Sequence, residues 1–195
     1  MFYCLEKPKM KKDLQQTIEI PDGVEVNLDG NSITVKGKEG EIKRSFNLGK
    51  LNFDTLKGTS KKDNKIIIGN KQSTKREKKM MNTIAQHLRN MIKGVQEKFE
   101  YKLKVCFSHF PMNVKQEDKK IIIQNFLGEK VPRKMTLSEG VEVKIDKTEI
   151  IVKSVDKELA GQTAANFETM TKIRGRDKRV FQDGIYITNK AGRDM

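Results

Sequence analysis

Val24, Val26 and Leu28 alternate with Glu25, Asn27 and Asp29, and beyond "DGN" Ile33 and Val35 alternate with Thr34 and Lys36. A period of two sends successive side chains to opposite faces, so this stretch predicts a β-hairpin with one buried face. Val141, Val143 and Ile145, followed by Ile150 and Val152, repeat the pattern and predict a second hairpin whose turn lacks glycine. The two stretches, "GVEVNLDGNSITVK" from Gly23 and "GVEVKIDKTEIIVK" from Gly140, agree at eight of fourteen positions. The segments after them do not agree. Beyond Lys153 a helical segment, "VDKELAGQTAANFETMT", begins almost at once, whereas nearly forty residues separate Lys36 from the first helix.

A shift of 88 residues resolves the mismatch. It sets Val24 and Val26 against Met112 and Val114, Ile33 and Val35 against Ile121 and Ile123, and Gly40-Glu41 against Gly128-Glu129. Each unit then reads as a lead strand ("TIEI" from Thr17, "YKLKVCF" from Tyr101), a hairpin, a strand led by Gly-Glu, a second hairpin and one closing helix. The first helix is marked by Met81, Ile84, Ala85, Leu88, Met91, Ile92 and Val95 at i, i+3, i+4 spacing. "TKRE" (Thr74 to Glu77) has the form of a capping box at its start, and Gly94 is its expected stop. The expected fold is therefore α+β: two tandem related domains, residues 17–95 and 96–171, each a mostly antiparallel sheet with one packed helix. Residues 1–16 form an N-terminal extension and residues 172–195 a basic C-terminal tail.

Charge narrows the partner. Forty Lys and Arg against 26 Asp and Glu give a formal net charge of +14, with 34% of residues charged and only 35% hydrophobic. Such a surplus seeks a polyanion. The apolar runs, "KIIIGN" and "KIIIQN", are far shorter than the roughly 20 residues of a membrane span. The beginning, "MFYCLEKPKMKK", does not have the order of a secretory signal. Two cysteines, Cys4 and Cys106, are too few for a disulfide framework and fit a reducing cytosol as ordinary thiols.

Catalytic chemistry needs nucleophiles, acids or bases converging in a sheltered pocket, and no such set stands out. His87 falls on the polar side of the first helix beside Gln86 and Arg89, as a solvated or RNA-facing residue, and His109 in "SHFP" sits where a strand meets a proline. No Cys/His pair has zinc-ligand spacing. "GNKQSTK" (Gly69 to Lys75) lacks the spacing of a phosphate-binding loop, and no G-x-G-x-x-G follows a strand. The reading is of a protein that is not an enzyme and carries neither metal nor cofactor.

Two places gather positive charge. Lys71, Lys75, Arg76, Lys78 and Lys79 crowd the start of the first helix with only Glu77 opposing. A helix N-terminus prefers acidic neighbours, so these bases suit docked phosphates; the plain alternative is a charged, solvated face. In the tail, "KIRGRDKRVFQDGIYI", Lys172, Arg174, Arg176, Lys178 and Arg179 face the single acid Asp177, with Gly175, Phe181 and Tyr186 interleaved. Arginine forks with aromatics suit phosphates, 2′-hydroxyls and unpaired bases. The alternative is a disordered terminal run, against which Val180, Phe181, Ile185 and Ile187 are expected to pin the tail to the sheet. Gly161, Ala164 and Ala165 on the second helix allow close packing, more simply against its own sheet than against RNA.

"NMIKGV", "SHFPMNV", "NFLGEK", "GQTAAN" and "KIRGRDKRVFQDGIYI" together resemble the universal L-six family of large-subunit ribosomal proteins in its archaeal and eukaryotic form, the eukaryotic L-nine protein. Their order and spacing match over nearly the whole chain, from about Thr17 to Ile187. The resemblance implies a structural constituent of the large subunit near the translation-factor-binding region. It also implies that the second domain and tail hold rRNA beside the sarcin-ricin loop, and that neighbouring large-subunit proteins are partners. The matching tail positions are Lys172, Arg174, Gly175, Arg176, Lys178, Arg179 and Tyr186. To these the charge reading adds Lys71, Lys75, Arg76 and Lys79. The expected location is the cytoplasm, with passage through the nucleus and nucleolus if the cell is eukaryotic. The alternative function is a free RNA-binding or ribosome-assembly protein. The chain departs from the family in its first dozen residues and in "KIIIGN", which replaces the tryptophan pair of animal members.

Overall fold

The computed structural model describes residues 12–46, 52–56 and 65–195, without the side chains of residues 12, 13, 52–56 and 70–72. Cys4 and most of the expected N-terminal extension lie outside the described residues. The chain divides into two compact units, Met1–Val95 and Gln96–Met195. In the first, β1 (Lys12–Glu19), β6 (Lys65–Ser73) and β5 (Asn52–Leu56) form one antiparallel sheet, and β2 (Glu25–Asp29), β3 (Ser32–Gly37) and β4 (Gly40–Ser45) form another. Helix α1 (Lys75–Gln96) closes the unit. The second repeats this plan. Strands β8 (Asn113–Glu117), β9 (Lys120–Gln124) and β10 (Arg133–Thr136) make the smaller sheet. Strands β11 (Val141–Asp146), β12 (Glu149–Ser154) and β7 (Phe99–Cys106) begin a larger one, and α2 (Lys157–Met170) comes after β12. Val26 pairs with Val35 in β2–β3, and Val114 with Ile123 in β8–β9, so the shift of 88 is the correct register of the repeat.

The helices form where periodicity and capping agree. Glu77 reaches back to accept the Thr74 N–H, and the residues of the predicted apolar stripe on α1 are all buried. Asp156 caps α2 by accepting the Glu158 N–H at 2.9 Å. Gly161 lets α2 settle on the sheet, since an added Cβ would stand 3.2 Å from the Tyr101 hydroxyl. Ala160, Ala164 and Phe167 from α2 meet Leu103, Val105, Ile150, Val152 and Ile185 in one core, joined by Ile121 and Ile123 from the smaller sheet and by Phe126 from the turn between β9 and β10. Gly161 and Ala164 thus serve packing of α2 on its own sheet, while Ala165 is only half-buried.

Four details differ from the sequence expectation. Strand β1 starts at Lys12, so Lys12 and, past an irregularity, Leu14, Gln15 and Gln16 are paired with β6 rather than lying in an extension; the polar Gln15-Gln16 masks the continued alternation. Gly94 does not stop α1. It is buried inside the helix, which runs on to Gln96 and presents the carbonyl of buried Val95 to the Glu39 N–H at 3.0 Å. The second Gly-Glu does not lead a strand. There the chain curls through a 3-10 turn, Phe126–Gly128, with Asn125 and Leu127 at positive φ, burying Phe126 before β10 begins. Last, residues 184–194 of the expected tail are strands: β13 (Gly184–Lys190) pairs antiparallel with β7, and β14 (Arg193–Asp194) pairs with β13. Fully buried Ile185 is the residue that draws the chain back into the sheet.

Gly37 gives a test of the first unit. A Cβ there would lie 2.2 Å from Cγ1 of Val95, a buried β-branched side chain with little rotamer freedom. Gly37→Ala is expected to destabilise that unit by about 1–3 kcal/mol, read as a lower urea midpoint for the loss of the Ile66 and Ile68 methyl signals.

Candidate nucleic-acid interface

Helix α2 ends at Thr171, whose buried hydroxyl donates to the Phe167 carbonyl at 3.2 Å and accepts the Ile185 N–H at 2.9 Å. One side chain therefore ties the helix end to β13. Ile173 then turns into the core, and everything from Arg174 to Val180 is exposed. At the far end Asp183 is buried and accepts the Ser108 N–H at 2.5 Å, fastening the chain to the loop after β7. The basic stretch is thus a loop held at both ends.

Within the loop Asp177 is occupied by the backbone. Its carboxylate accepts the Arg179 N–H at 2.9 Å, and its carbonyl accepts from Val180 and Phe181 at 3.2 and 3.0 Å. Among the described residues, none of Lys172, Arg174, Lys178 or Arg179 forms an ion pair. Arg176 lies over the Phe181 ring, 4.9 Å from its centroid. Gly175 adopts φ +68 with nothing within 4 Å of a potential Cβ, so the turn favours glycine there and the space beside it is open. Val180 is 74% exposed and does not pin the tail; Phe181 is half-buried and Ile185 fully buried. The turn organised by Asp177 carries Val180 outward.

Tyr186 is 41% exposed on β13, its register partner on β7 being Lys104. Burial, then the neighbouring Cys106, Asp183 and Glu168, raise its hydroxyl pKa, so the ring presents a neutral O–H donor. Lys104 and Lys102 belong to the exposed face of β7. Sequence reading does not single them out, although the alternation in "YKLKVCF" places both opposite the buried Tyr101, Leu103 and Val105. It also misses a cleft of about 280 Å³ between the end of α2 and the tail. Ala165, Ile173 and Ile185 line its apolar part. Glu168, Lys172, Lys178 and Tyr186 contribute to the rest.

Behind the tail, Arg133 supports α2. Its guanidinium lies 4.2 Å from the Phe126 centroid, donates to the Met170 carbonyl at 2.5 Å and pairs with Glu129. Hydrogen bonding from Arg133 holds the Glu129 carboxyl below the ordinary range.

The second basic group is in the other unit. Lys75, Arg76, Lys78 and Lys79 are exposed on the first turns of α1, while Lys71 lies in β6 with its side chain outside the described residues. His87 is half-buried with its ring 6.1 Å from that of Phe46, a packed residue rather than a solvated one. His109 is exposed against Phe110. Among the described residues no three metal-ligating side chains cluster, and no helix is long and apolar enough to cross a membrane.

A family model described as "Ribosomal protein L6" matches residues 20–98 and again 110–184. The chain is 42% identical over 181 residues to the large ribosomal subunit protein uL6 of Methanothrix thermoacetophila, covering 93% of this chain and 99% of that one. It is 43% identical over 182 residues to the uL6 protein of Methanosarcina mazei, covering 93% and 100%. The uL6 protein of Methanococcus vannielii is 43% identical over 180 residues, covering 92% and 96%.

Proposed function

Because the chain belongs to the ribosomal protein L6 family, we propose that it is a constituent of the large ribosomal subunit and binds rRNA through the loop between α2 and β13. The family is one of structural ribosomal proteins and not of enzymes. The observation that carries the proposal is the loop itself: Lys172, Arg174, Lys178 and Arg179 stand exposed with no ion pair among the described residues, on a segment fixed at both ends. A backbone held this way loses little freedom when phosphates meet its cations, and the counterions released drive association. The finer reading places the tail residues, Gly175 and Tyr186 among them, beside the sarcin-ricin loop near the factor-binding region. Lys71, Lys75, Arg76 and Lys79 form a further phosphate contact at the start of α1, and neighbouring large-subunit proteins are partners. The working location is the cytoplasmic ribosome, reached through the nucleolus if the cell is eukaryotic.

Sedimentation separates this from a free RNA-binding or assembly protein. After a high-salt wash, a permanent component is recovered with large subunits in a density gradient. Recovery mainly at the top of the gradient refutes the proposal.

A further inference from the structure

The cleft under the tail has a chemistry that net charge does not use. At about 280 Å³ it is at or just below the small end of ligand pockets, roughly 300–1,000 Å³, and so suits one planar ring with its substituents rather than a large cofactor. Its apolar part comes from half-buried Ala165, the small accessible edge of Ile173 and the partly exposed Tyr186, with Ile185 fully buried behind them. Lys172 and Lys178 bring two ammonium groups, and Glu168, from the last turn of α2, brings a carboxylate. A bare anion finds the lysines but is opposed by Glu168 and leaves the apolar surface uncovered. An apolar ligand covers that surface and wastes the charges. Only a group that is planar, carries N–H donors on its edge and has a phosphate attached uses all three features.

We infer that this cleft seats one unpaired nucleobase bearing an exocyclic amino group. Its edge donates to Glu168, its face lies against Ala165, Ile173 and Tyr186, and its phosphate sits by Lys172 and Lys178. The inference rests on the rRNA-binding reading and adds a base preference to it. Unpaired bases splayed from single strands are the usual targets of sequence-dependent RNA recognition, and a carboxylate facing position 4 accepts from the cytosine N4 amino group where uracil has a carbonyl and keeps only its N3–H as an edge donor. Cytosine and uracil have the same ring size, so comparing them isolates the amino group from stacking.

Oligocytidylate and oligouridylate of equal length are titrated into the full chain while the methyl signals of Ile173 and Ile185 are followed by NMR. Oligocytidylate is expected to bind about fivefold more tightly, the discrimination of one good base contact at its lower end. Both methyl signals are expected to shift. Glu168→Ala, at an exposed position, is expected to bring the two affinities within about twofold of each other with methyl shifts retained. Equal affinities in the unaltered chain, or unmoved Ile173 and Ile185 signals, overturn the inference and leave the tail as a phosphate contact only. Shifts of the same size with inorganic phosphate alone overturn it as well, since the cleft is then an anion site. The large-subunit reading is decided separately, by the gradients.

Discussion

Replacing Arg174, Arg176 and Arg179 together with glutamine is expected to flatten the slope of log affinity against log salt by about 2 units for a large-subunit rRNA fragment. Each cation that neutralises a phosphate contributes roughly 0.7 to 0.9 to that slope. If contacts independent of salt are retained, a loss of 2 units corresponds to about a hundredfold weaker binding near 0.1 M salt. The fold survives, because all three side chains are exposed and the segment is held by Thr171, Ile173, Asp183 and Ile185 instead. Arg176 loses its seat on Phe181, a contact at the surface worth about 0.5–1 kcal/mol at most. Unchanged affinity and slope, measured by filter binding across a salt series, refute the tail as an rRNA anchor. An unchanged circular dichroism spectrum excludes unfolding as the cause of a loss.

Phe167→Ala is expected to cost the second unit about 3–5 kcal/mol. Phe167 is fully buried where α2 meets the sheet, in the cluster that contains Ile150, Val152 and Ile185. Its removal leaves a hole lined by strands on one side and a helix capped at both ends on the other. Neither can collapse far into it. With a typical urea dependence, the midpoint for loss of the Ile150 methyl signal falls by roughly 2 M. The Ile66 and Ile68 signals report the first unit and keep their midpoint. A cost below about 1 kcal/mol contradicts the tight seat of α2 on the sheet.

The repeat is legible in the sequence because half-buried strands must alternate, and the apolar positions 24, 26, 33 and 35 recur at 112, 114, 121 and 123. The closer match, Gly23 to Lys36 with Gly140 to Lys153, compares different hairpins of the two units: similar words arise wherever an antiparallel pair has one wet face. The stripe of α1 is legible for the same kind of reason, its period being fixed by helix geometry. Gly94 is not, since glycine stops a helix only when the backbone beyond it can turn away, and here tertiary packing keeps Val95 helical. The curl that buries Phe126 leaves no periodic trace, and the hydrophobicity of Val180 says nothing of the turn that carries it outward. Of the candidate interface, charge and aromatic interleaving are visible in the tail. The cleft is not, because it exists only where residues 165–173 meet residues 178–186 across the hydrogen bond from Ile185 to Thr171.

Strand β13 gives the second unit a late lock. Its Ile185 pairs with Val105 of β7, about 80 residues earlier, and β7 stands between β12 and β13. Contacts so far apart in sequence form slowly, since a long loop must close before they repay its entropy. A nascent or truncated chain that stops before Gly184 therefore exposes the β7 edge from Tyr101 to Cys106, an open template for pairing with other strands. It also lacks the Ile185 N–H that Thr171 accepts at the end of α2. The basic loop and the last strand are consecutive, so a cell that discards chains with unpaired edges also discards those whose loop was never fastened. Proofreading of the fold then doubles as proofreading of the loop proposed to bind rRNA.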